Sequence, residues 1–396
     1  MFNQEMYQLG SARSAIRELF EYGKKQAKIV GEENIFDFSL GNPSVPPPQV
    51  LLDTLDELIT HEDPLYVHGY TSAQGDPAFR EALSNYVNQS TGDRTVADDF
   101  YVTCGAAASL CICFKALTES PEDEFVAIAP FFPEYRVFVE GCGATFRVVS
   151  TDRSSFQIDF ASLERTITPK TKAVIINSPN NPSGVIYSEE TLKKLTNLLL
   201  ERSATYGHPI FLISDEPYRE IVYSEENPPY IPYLYDNTFI CYSFSKSLSL
   251  PGDRIGYIQT SRTLIQRENL YYSLLGAGRA LGYVCAPSLF QKALTRVVGT
   301  TSDVREYQKN RDYLLTELDA LGYHYVKPEG AFYLFLEALE ADAGTFCERA
   351  KKEGLLLVPG DGFGTPGYVR LSYCVPYETI ERSIPHFKNL MKSYQK

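Results

Sequence analysis

The sequence predicts an α/β protein. Short apolar runs with the length of buried strands alternate along the chain with longer segments that have the apolar spacing of amphipathic helices. Several of these apolar runs end in loops rich in Gly, Asn, Pro and Ser, and α/β folds bind ligands at the carboxyl ends of their strands. The 396 residues give room for two or three domains of about 100–200 residues each.

The composition excludes several classes of function. A formal net charge of -13 argues against a nucleic-acid partner and against binding to an anionic membrane surface. Residues 1–10 are polar and have no apolar core of a signal peptide. No apolar run approaches the roughly 20 residues that span a bilayer, so we expect a cytoplasmic protein that binds neither nucleic acid nor membrane.

The cysteines predict neither a disulfide framework nor a metal site. The chain has eight cysteines and five histidines, and no Cys-x-x-Cys pair occurs. Most of the cysteines lie in apolar runs, where free thiols pack as small hydrophobic side chains. We therefore expect reduced cysteines and no bound metal.

The expected elements follow one another without an internal repeat or a low-complexity tract. Helices are expected at residues 13–29, 49–60, from 76, from 105, at 189–206, from 288, at 307–321 and at 344–354. Strands are expected near 36 and at residues 100–104, 124–129, 144–150, 173–177, 210–214, 239–242, 329–335 and 368–373. Between the lysine-containing segment 243–257 and Pro287 we expect helix or loop.

The segment 243–257 carries the clearest chemical signal. It follows a buried strand and places Lys246 between Ser245 and Ser247, with Arg254 eight positions later behind Pro-Gly. A lysine amine can form a Schiff base with an aldehyde, and hydroxyls with an arginine suit a phosphate. Those are the needs of pyridoxal phosphate (PLP). The alternative is a serine-rich turn with a solvated lysine and arginine.

Two other strand ends offer groups for such a ligand. Gly105-Ala106-Ala107 turns directly into a helix, whose first N–H groups have no internal partner and can bind a phosphate. No dinucleotide fingerprint or P-loop occurs there. Asp215 ends an apolar strand, where a carboxylate needs a cationic partner such as a protonated pyridine nitrogen. A helix cap is the alternative role for Asp215.

Three further residues suit the same chemistry. Phe132, in a Pro-Phe-Phe-Pro segment after a strand, could stack on a pyridine ring. Asn181 lies in a tight loop between two prolines at a strand end. Arg370 lies inside an apolar strand, and its guanidinium suits bidentate capture of a carboxylate. The alternative for Arg370 is a surface arginine on an edge strand.

These motifs together resemble the class I aminotransferase family, in the family's order from Phe38 to Tyr373. The resemblance implies a PLP enzyme of fold type I, with a mostly parallel sheet between helices in a large domain, residues 46–285. Residues 1–45 and 286–396 would form a smaller α+β domain. The implied activity is a ping-pong transamination between an amino acid and a 2-oxo acid, catalysed by a homodimer with shared active sites.

The resemblance also implies the role of each residue. Lys246 would carry PLP, Asp215 would face the ring nitrogen, Tyr218 and Asn181 the phenolic oxygen, and Phe132 the ring. The Asn181–Pro182 bond would be cis. The phosphate would contact Gly105, Ala106, Ala107, Ser243, Ser245 and Arg254, together with Tyr70 of the neighbouring subunit. The substrate would contact Gly41, Asn181 and Arg370.

Two other functions remain open from the sequence. A PLP-dependent C–S lyase or decarboxylase on the same fold would share most of these residues. A non-catalytic regulatory protein would need an added DNA-binding segment, for which the chain has no basic patch. The side-chain specificity is also open. A second cation for an acidic substrate could be Arg13, Arg17 or Arg279, which the sequence does not rank.

Overall fold

The computed structural model describes residues 1–12, 15–224 and 227–395. Its helices are α1 Gln4–Ser11, α2 Ala15–Val30, α3 Gln49–His61, α4 Pro64–His68, α5 Pro77–Thr91, α6 Ala106–Leu117, α7 Glu134–Gly141, α8 Phe160–Thr166, α9 Glu189–Tyr206, α10 Phe244–Ser247, α11 Arg267–Ala280, α12 Ser288–Val297, α13 Arg305–Leu321, α14 Ala343–Lys352 and α15 Tyr377–Tyr394. Its strands are β1 Phe36–Asp37, β2 Phe100–Thr103, β3 Glu124–Ile128, β4 Thr145–Val149, β5 Thr171–Asn177, β6 Phe211–Asp215, β7 Thr238–Ser243, β8 Gly256–Thr260, β9 Tyr333–Glu337, β10 Leu355–Leu356, β11 Val358–Pro359 and β12 Tyr368–Ser372.

The largest sheet has seven strands in the order β2-β8-β7-β6-β5-β3-β4. Its neighbours are parallel except for β8, which is antiparallel to both β2 and β7. Successive side chains of a strand point to opposite faces. Accordingly, Ile213 of β6 belongs to the same hydrophobic core as Phe114 of α6, whereas Leu212 belongs to a second core with Leu195 of α9. The predicted mostly parallel sheet between helices is confirmed.

The chain ends meet in a second region. Strands β11, β12 and β9 form an antiparallel sheet with β12 in the centre, and β1 pairs in parallel with β10. Phe36 and Phe38 of the N-terminal segment are buried in one core with Leu314 of α13 and Phe387 of α15. This is the α+β arrangement predicted for the smaller domain, while the boundaries at 45/46 and 285/286 stay a prediction.

The structure differs from the expected elements in several places. Strand β8 extends to Thr260, into the region where helix or loop was expected, so that expectation was wrong. The helix from Ser288 was expected to be long, but it has 10 residues and ends at Val297. Helix α15 and several shorter elements, among them α7 and α8, were not predicted. Strand β8 is hard to recognise because its sequence, Gly-Tyr-Ile-Gln-Thr, is short and partly polar although all five residues are buried.

Two further observations concern membrane-spanning helices and the state of the cysteines. Within the described residues, no helix combines the length and the apolar character that crossing a membrane requires. All eight cysteines are free thiols, and the Sγ atoms of buried Cys113 and Cys241 lie 3.8 Å apart.

Candidate active site

The candidate site is a cleft at the carboxyl edge of the large sheet. Strands β5, β6 and β7 run parallel, so their last residues, Asn177, Asp215 and Ser243, lie at one edge. Most of the predicted site residues line this cleft. They are Gly41, Ala106, Ala107, Phe132, Asn181, Asp215, Tyr218, Ser243, Ser245, Lys246, Arg254 and Arg370.

Lys246 reaches the cleft from the short helix α10. Its Nζ donates a hydrogen bond to the carbonyl oxygen of Gly41 at 2.7 Å. Burial lowers the pKa of Lys246 to about 8, with a further lowering by Arg370 and Arg254 and an opposing effect of Cys374. The amine is therefore partly unprotonated near neutral pH, as a nucleophile requires. A Cβ on Gly41 would lie 2.0 Å from the Tyr333 hydroxyl, so this approach needs a glycine.

Asp215 has two carboxylate oxygens in different surroundings. Oδ2 accepts a hydrogen bond from the Tyr135 hydroxyl at 2.5 Å, whereas buried Oδ1 has no partner. Burial raises the pKa of Asp215 to about 7; the Tyr135 hydrogen bond opposes this rise and Glu216 adds to it. Neither oxygen therefore caps the following turn, and the helix-cap alternative does not describe this side chain.

The surroundings of Asp215 fit the ring of pyridoxal phosphate. A buried polar atom without a partner costs free energy, and a protonated pyridine nitrogen would give Oδ1 its missing donor. The hydroxyls of Tyr218 and Tyr333 are 2.9 Å apart at the same cleft. Phe132 also lines it. The side chains therefore supply a counter-charge, hydroxyl groups and an aromatic face for one ring.

Another part of the cleft lining fits a phosphate. Ala106 and Ala107 are the first residues of α6, where N–H groups lack internal partners and the helix dipole favours an anion. Gly105 has φ of +87°, and a Cβ there would lie 2.9 Å from Nη2 of Arg254. Gly105 thus lets Arg254 approach this helix end, although it does not itself line the cleft. The hydroxyls of Ser243 and Ser245 are 2.5 Å apart.

Arg370 is buried in the central strand of the smaller sheet, with 2% of its surface exposed. Its Nη1 donates to Oδ1 of Asn181 at 3.1 Å, and its Nη2 donates to the carbonyl oxygen of Ser39. Its Nε has no partner, and burial lowers its pKa. The edge-strand alternative for Arg370 is wrong, and a carboxylate would supply the missing acceptor. The Asn181–Pro182 bond is cis, as the resemblance implied.

Some sequence candidates do not line the cleft. Tyr70 is 97% exposed, so its contact with a neighbouring subunit's phosphate stays a prediction. Of the three candidate second cations, Arg17 and Arg279 are exposed and are not among the described residues that line the cleft. Arg13 lies outside the described residues.

The structure adds residues that the sequence reasoning missed. Tyr135 binds Asp215, Tyr333 binds Tyr218, and Asn177 donates to the backbone oxygen of Asp215 at 2.8 Å. Tyr135 lies in the aromatic segment that also contains Phe132, but nothing local in the sequence marks it as a partner of Asp215. Tyr333 lies in the segment 329–335, for which the sequence predicted only a strand.

Comparisons with known proteins find relatives along nearly the whole chain. A family model described as "Aminotransferase class I and II" matches residues 33–387. A crystal structure of an amino transferase from Eubacterium rectale is 56% identical, covers 100% of both chains and has a TM-score of 0.98. The aspartate aminotransferase of Thermotoga maritima is 29% identical over 376 residues, 93% of this chain and 95% of the relative. A probable N-acetyl-LL-diaminopimelate aminotransferase of Bacillus subtilis is also 29% identical, over 91% of this chain and 90% of the relative.

The buried carboxyl of Asp215 should lower the stability of the cofactor-free protein at alkaline pH. Its pKa in the folded state, about 7, is above the usual 3.8, so the folded state loses stability as pH rises between these values. Asp215→Asn should therefore raise the free energy of unfolding at pH 8 by up to about 4 kcal/mol, by less than half as much at pH 5, and change it little at pH 3. Thermal or urea unfolding of the cofactor-free variants measures this difference.

Asp99 provides the matched control. Burial raises the pKa of Asp99 too, but its Oδ1 pairs with Arg267 at 2.5 Å, and Arg267 opposes that rise. Asp99→Asn removes this ion pair together with the buried charge, so at pH 8 it should stabilise the protein much less than Asp215→Asn does, or destabilise it. Equal effects of the two substitutions at pH 8 would contradict an uncompensated charge at Asp215.

Proposed function

The chain belongs to the aminotransferase class I and II family, and we propose that it carries pyridoxal phosphate on Lys246 and moves an amino group between an amino acid and a 2-oxo acid. One observation supports this proposal above the others. A half-buried amine of lowered pKa, a carboxylate oxygen without a partner and a buried guanidinium with a free Nε all belong to residues of one cleft. Each of these three groups lacks what a bound cofactor and an amino-acid substrate would provide.

Different residues of the cleft bind different parts of the cofactor. Asp215 holds a proton on the ring nitrogen, Tyr218 and Asn181 bind the phenolic oxygen, and Phe132 packs on the ring face. When bound, PLP supplies an electron sink for the charge that develops at the substrate Cα. The phosphate is bound by the backbone at the N-terminus of α6, at Gly105, Ala106 and Ala107, and by the side chains of Ser243, Ser245 and Arg254.

Lys246 and Arg370 act on the substrate. A pKa of about 8 lets the Lys246 amine accept and return a proton near neutral pH, which suits proton transfer at Cα. Arg370 binds the substrate carboxylate and so orients the Cα–H bond. Gly41 lets the N-terminal segment approach the substrate because it has no side chain.

The assembly is proposed to be a homodimer in which each subunit completes the other's site. Tyr70 supports this, because its side chain is almost fully exposed within its own chain and is therefore available to a neighbour. The large domain would span residues 46–285, and the smaller one residues 1–45 with 286–396. The relatives named for aspartate and for N-acetyl-LL-diaminopimelate are both 29% identical, so identity does not select the amino donor.

Transamination should be detected directly. We expect the PLP-loaded protein to convert at least one α-amino acid of a donor panel to its 2-oxo acid, with stoichiometric amination of 2-oxoglutarate. Lys246→Ala, which lacks the amine that moves the proton, should lose this turnover. Release of pyruvate and ammonia from cysteine-type substrates without any amino transfer would instead identify a C–S lyase.

The cofactor should be attached to Lys246. Borohydride reduction of the PLP-loaded protein should leave a cofactor-sized mass on the peptide that contains Lys246. Attachment to the cofactor-free protein should become faster as pH rises through about 8, because the amine loses its proton there. Lys292→Ala removes another buried lysine, which pairs with Asp76, and should leave the labelling unchanged. A label mapped to a different lysine would refute the assignment.

Arg370 should bind the carboxylate that all amino donors share. Arg370→Lys keeps the positive charge but loses the two-pronged geometry. It should lower kcat/KM by about 10²-fold for every donor through misorientation, with little change in the visible spectrum of the bound cofactor. Arg254→Lys should mainly weaken cofactor retention. A loss confined to one class of donor would show that Arg370 binds a side chain instead.

A further inference from the structure

Tyr135 is the one side chain that holds the carboxylate of Asp215 in place among the described residues. It is 1% exposed and lies in the first turn of α7. Its hydroxyl donates to Oδ2 of Asp215 at 2.5 Å, within the range of hydrogen bonds to charged oxygens. Burial and the neighbouring Asp215 raise the pKa of Tyr135 well above its usual value. The phenol therefore stays protonated and remains a donor at neutral pH.

This hydrogen bond decides which oxygen Asp215 offers to the cleft. The terminal torsion of an aspartate is broad and roughly two-fold, so an unsupported carboxylate would rotate. With Oδ2 held by the phenol, Oδ1 is left without a partner on a residue that lines the cleft. Phe132 lies just before α7, and its ring centroid is 5.6 Å from that of Tyr135 in an edge-on arrangement. One short segment thus positions both the aromatic face and the carboxylate.

The hydrogen bond also affects the charge of Asp215. The titratable groups that interact with this carboxyl are Tyr135 of α7, Glu216 and Tyr218 beyond β6, and Cys241 of β7. Burial and Glu216 raise the pKa of Asp215, and the Tyr135 hydrogen bond lowers it. Without this donor the pKa would rise above about 7, and the carboxyl would be neutral over part of the physiological range.

We propose that Tyr135 is a positioning residue that keeps the Asp215 carboxylate charged and aims its free oxygen at the ring nitrogen of the cofactor. The inference rests on the proposed function, because it concerns the same cleft loaded with PLP. Tyr135 thus has a role in cofactor binding although it is fully buried and does not line the cleft.

The test compares two substitutions that each remove one buried hydroxyl. Tyr135→Phe removes the donor to Asp215. Tyr235→Phe removes a hydroxyl that donates to the carbonyl oxygen of Ile210 at 2.5 Å, just before the opposite end of β6. The measurements are the equilibrium affinity for PLP and the pH dependence of the visible spectrum of the PLP-loaded protein. Both variants keep the aromatic ring, so both should fold.

We expect Tyr135→Phe to weaken PLP binding by about ten- to a hundred-fold, the usual effect of losing a hydrogen bond to a charged group. The pH at which the visible spectrum of the PLP-loaded variant changes should be higher than in the unmodified protein. The reason is that, without this donor, the pKa of Asp215 is higher. Tyr235→Phe should match the unmodified protein in both measurements. Unchanged affinity and an unchanged pH profile in Tyr135→Phe would overturn the inference.

A double-mutant cycle separates positioning from general packing. If Tyr135 acts through Asp215, then Tyr135→Phe should change PLP affinity much less when Asp215→Asn is already present. An equal loss in both backgrounds would overturn the inference and would leave the proposed function intact. Failure of the unmodified protein to bind PLP would overturn the proposed function, and the inference with it.

Discussion

Parallel pairing of β5, β6 and β7 is the constraint on which the rest of the site depends. Neighbouring parallel strands start and end at the same edges, so residues separated by dozens of positions meet at one rim. Asn177 lies opposite Asp215, and Asp215 lies opposite Cys241, two residues before Ser243. The register of the sheet therefore sets the distances between the functional side chains. Packing on both faces, by α6 and α9 among others, keeps that register rigid.

The second constraint is electrostatic. Lys246, Asp215 and Arg370 are drawn into the interior, and burial shifts the pKa of each toward its neutral form. Such shifts are free-energy costs for the empty protein, and the hydrophobic cores around the site offset them. Arg370 also contacts Ser39 of the N-terminal segment and Asn181 of the loop that follows β5. The group proposed to bind substrate thus also joins the two regions of the fold.

The sequence was informative where a residue type was unusual for its surroundings. Lys246 among serines, Asp215 at the end of an apolar strand and Arg370 within one could all be identified. Tyr135 was missed because a tyrosine in an aromatic segment is ordinary core, and only the fold shows that it meets Asp215. Strand β8 was missed because Gln259 interrupts its apolar pattern; in the structure, its amide donates to the Tyr230 hydroxyl. Long-range partners of this kind leave no local signal.

The reversed direction of β8 has a consequence for how this site can vary. An antiparallel neighbour needs only a short connection, whereas a parallel one needs a crossover of a dozen or more residues. Ser243 pairs with Gly256 at the end of this hairpin from which the connection leaves, so Lys246 and Arg254 both lie in the single connection between the two strands. The proposed covalent anchor and the proposed phosphate-binding cation therefore belong to one continuous segment of the chain. Recombination between related chains can therefore exchange the two together, whereas Asp215 and Arg370 must be matched separately.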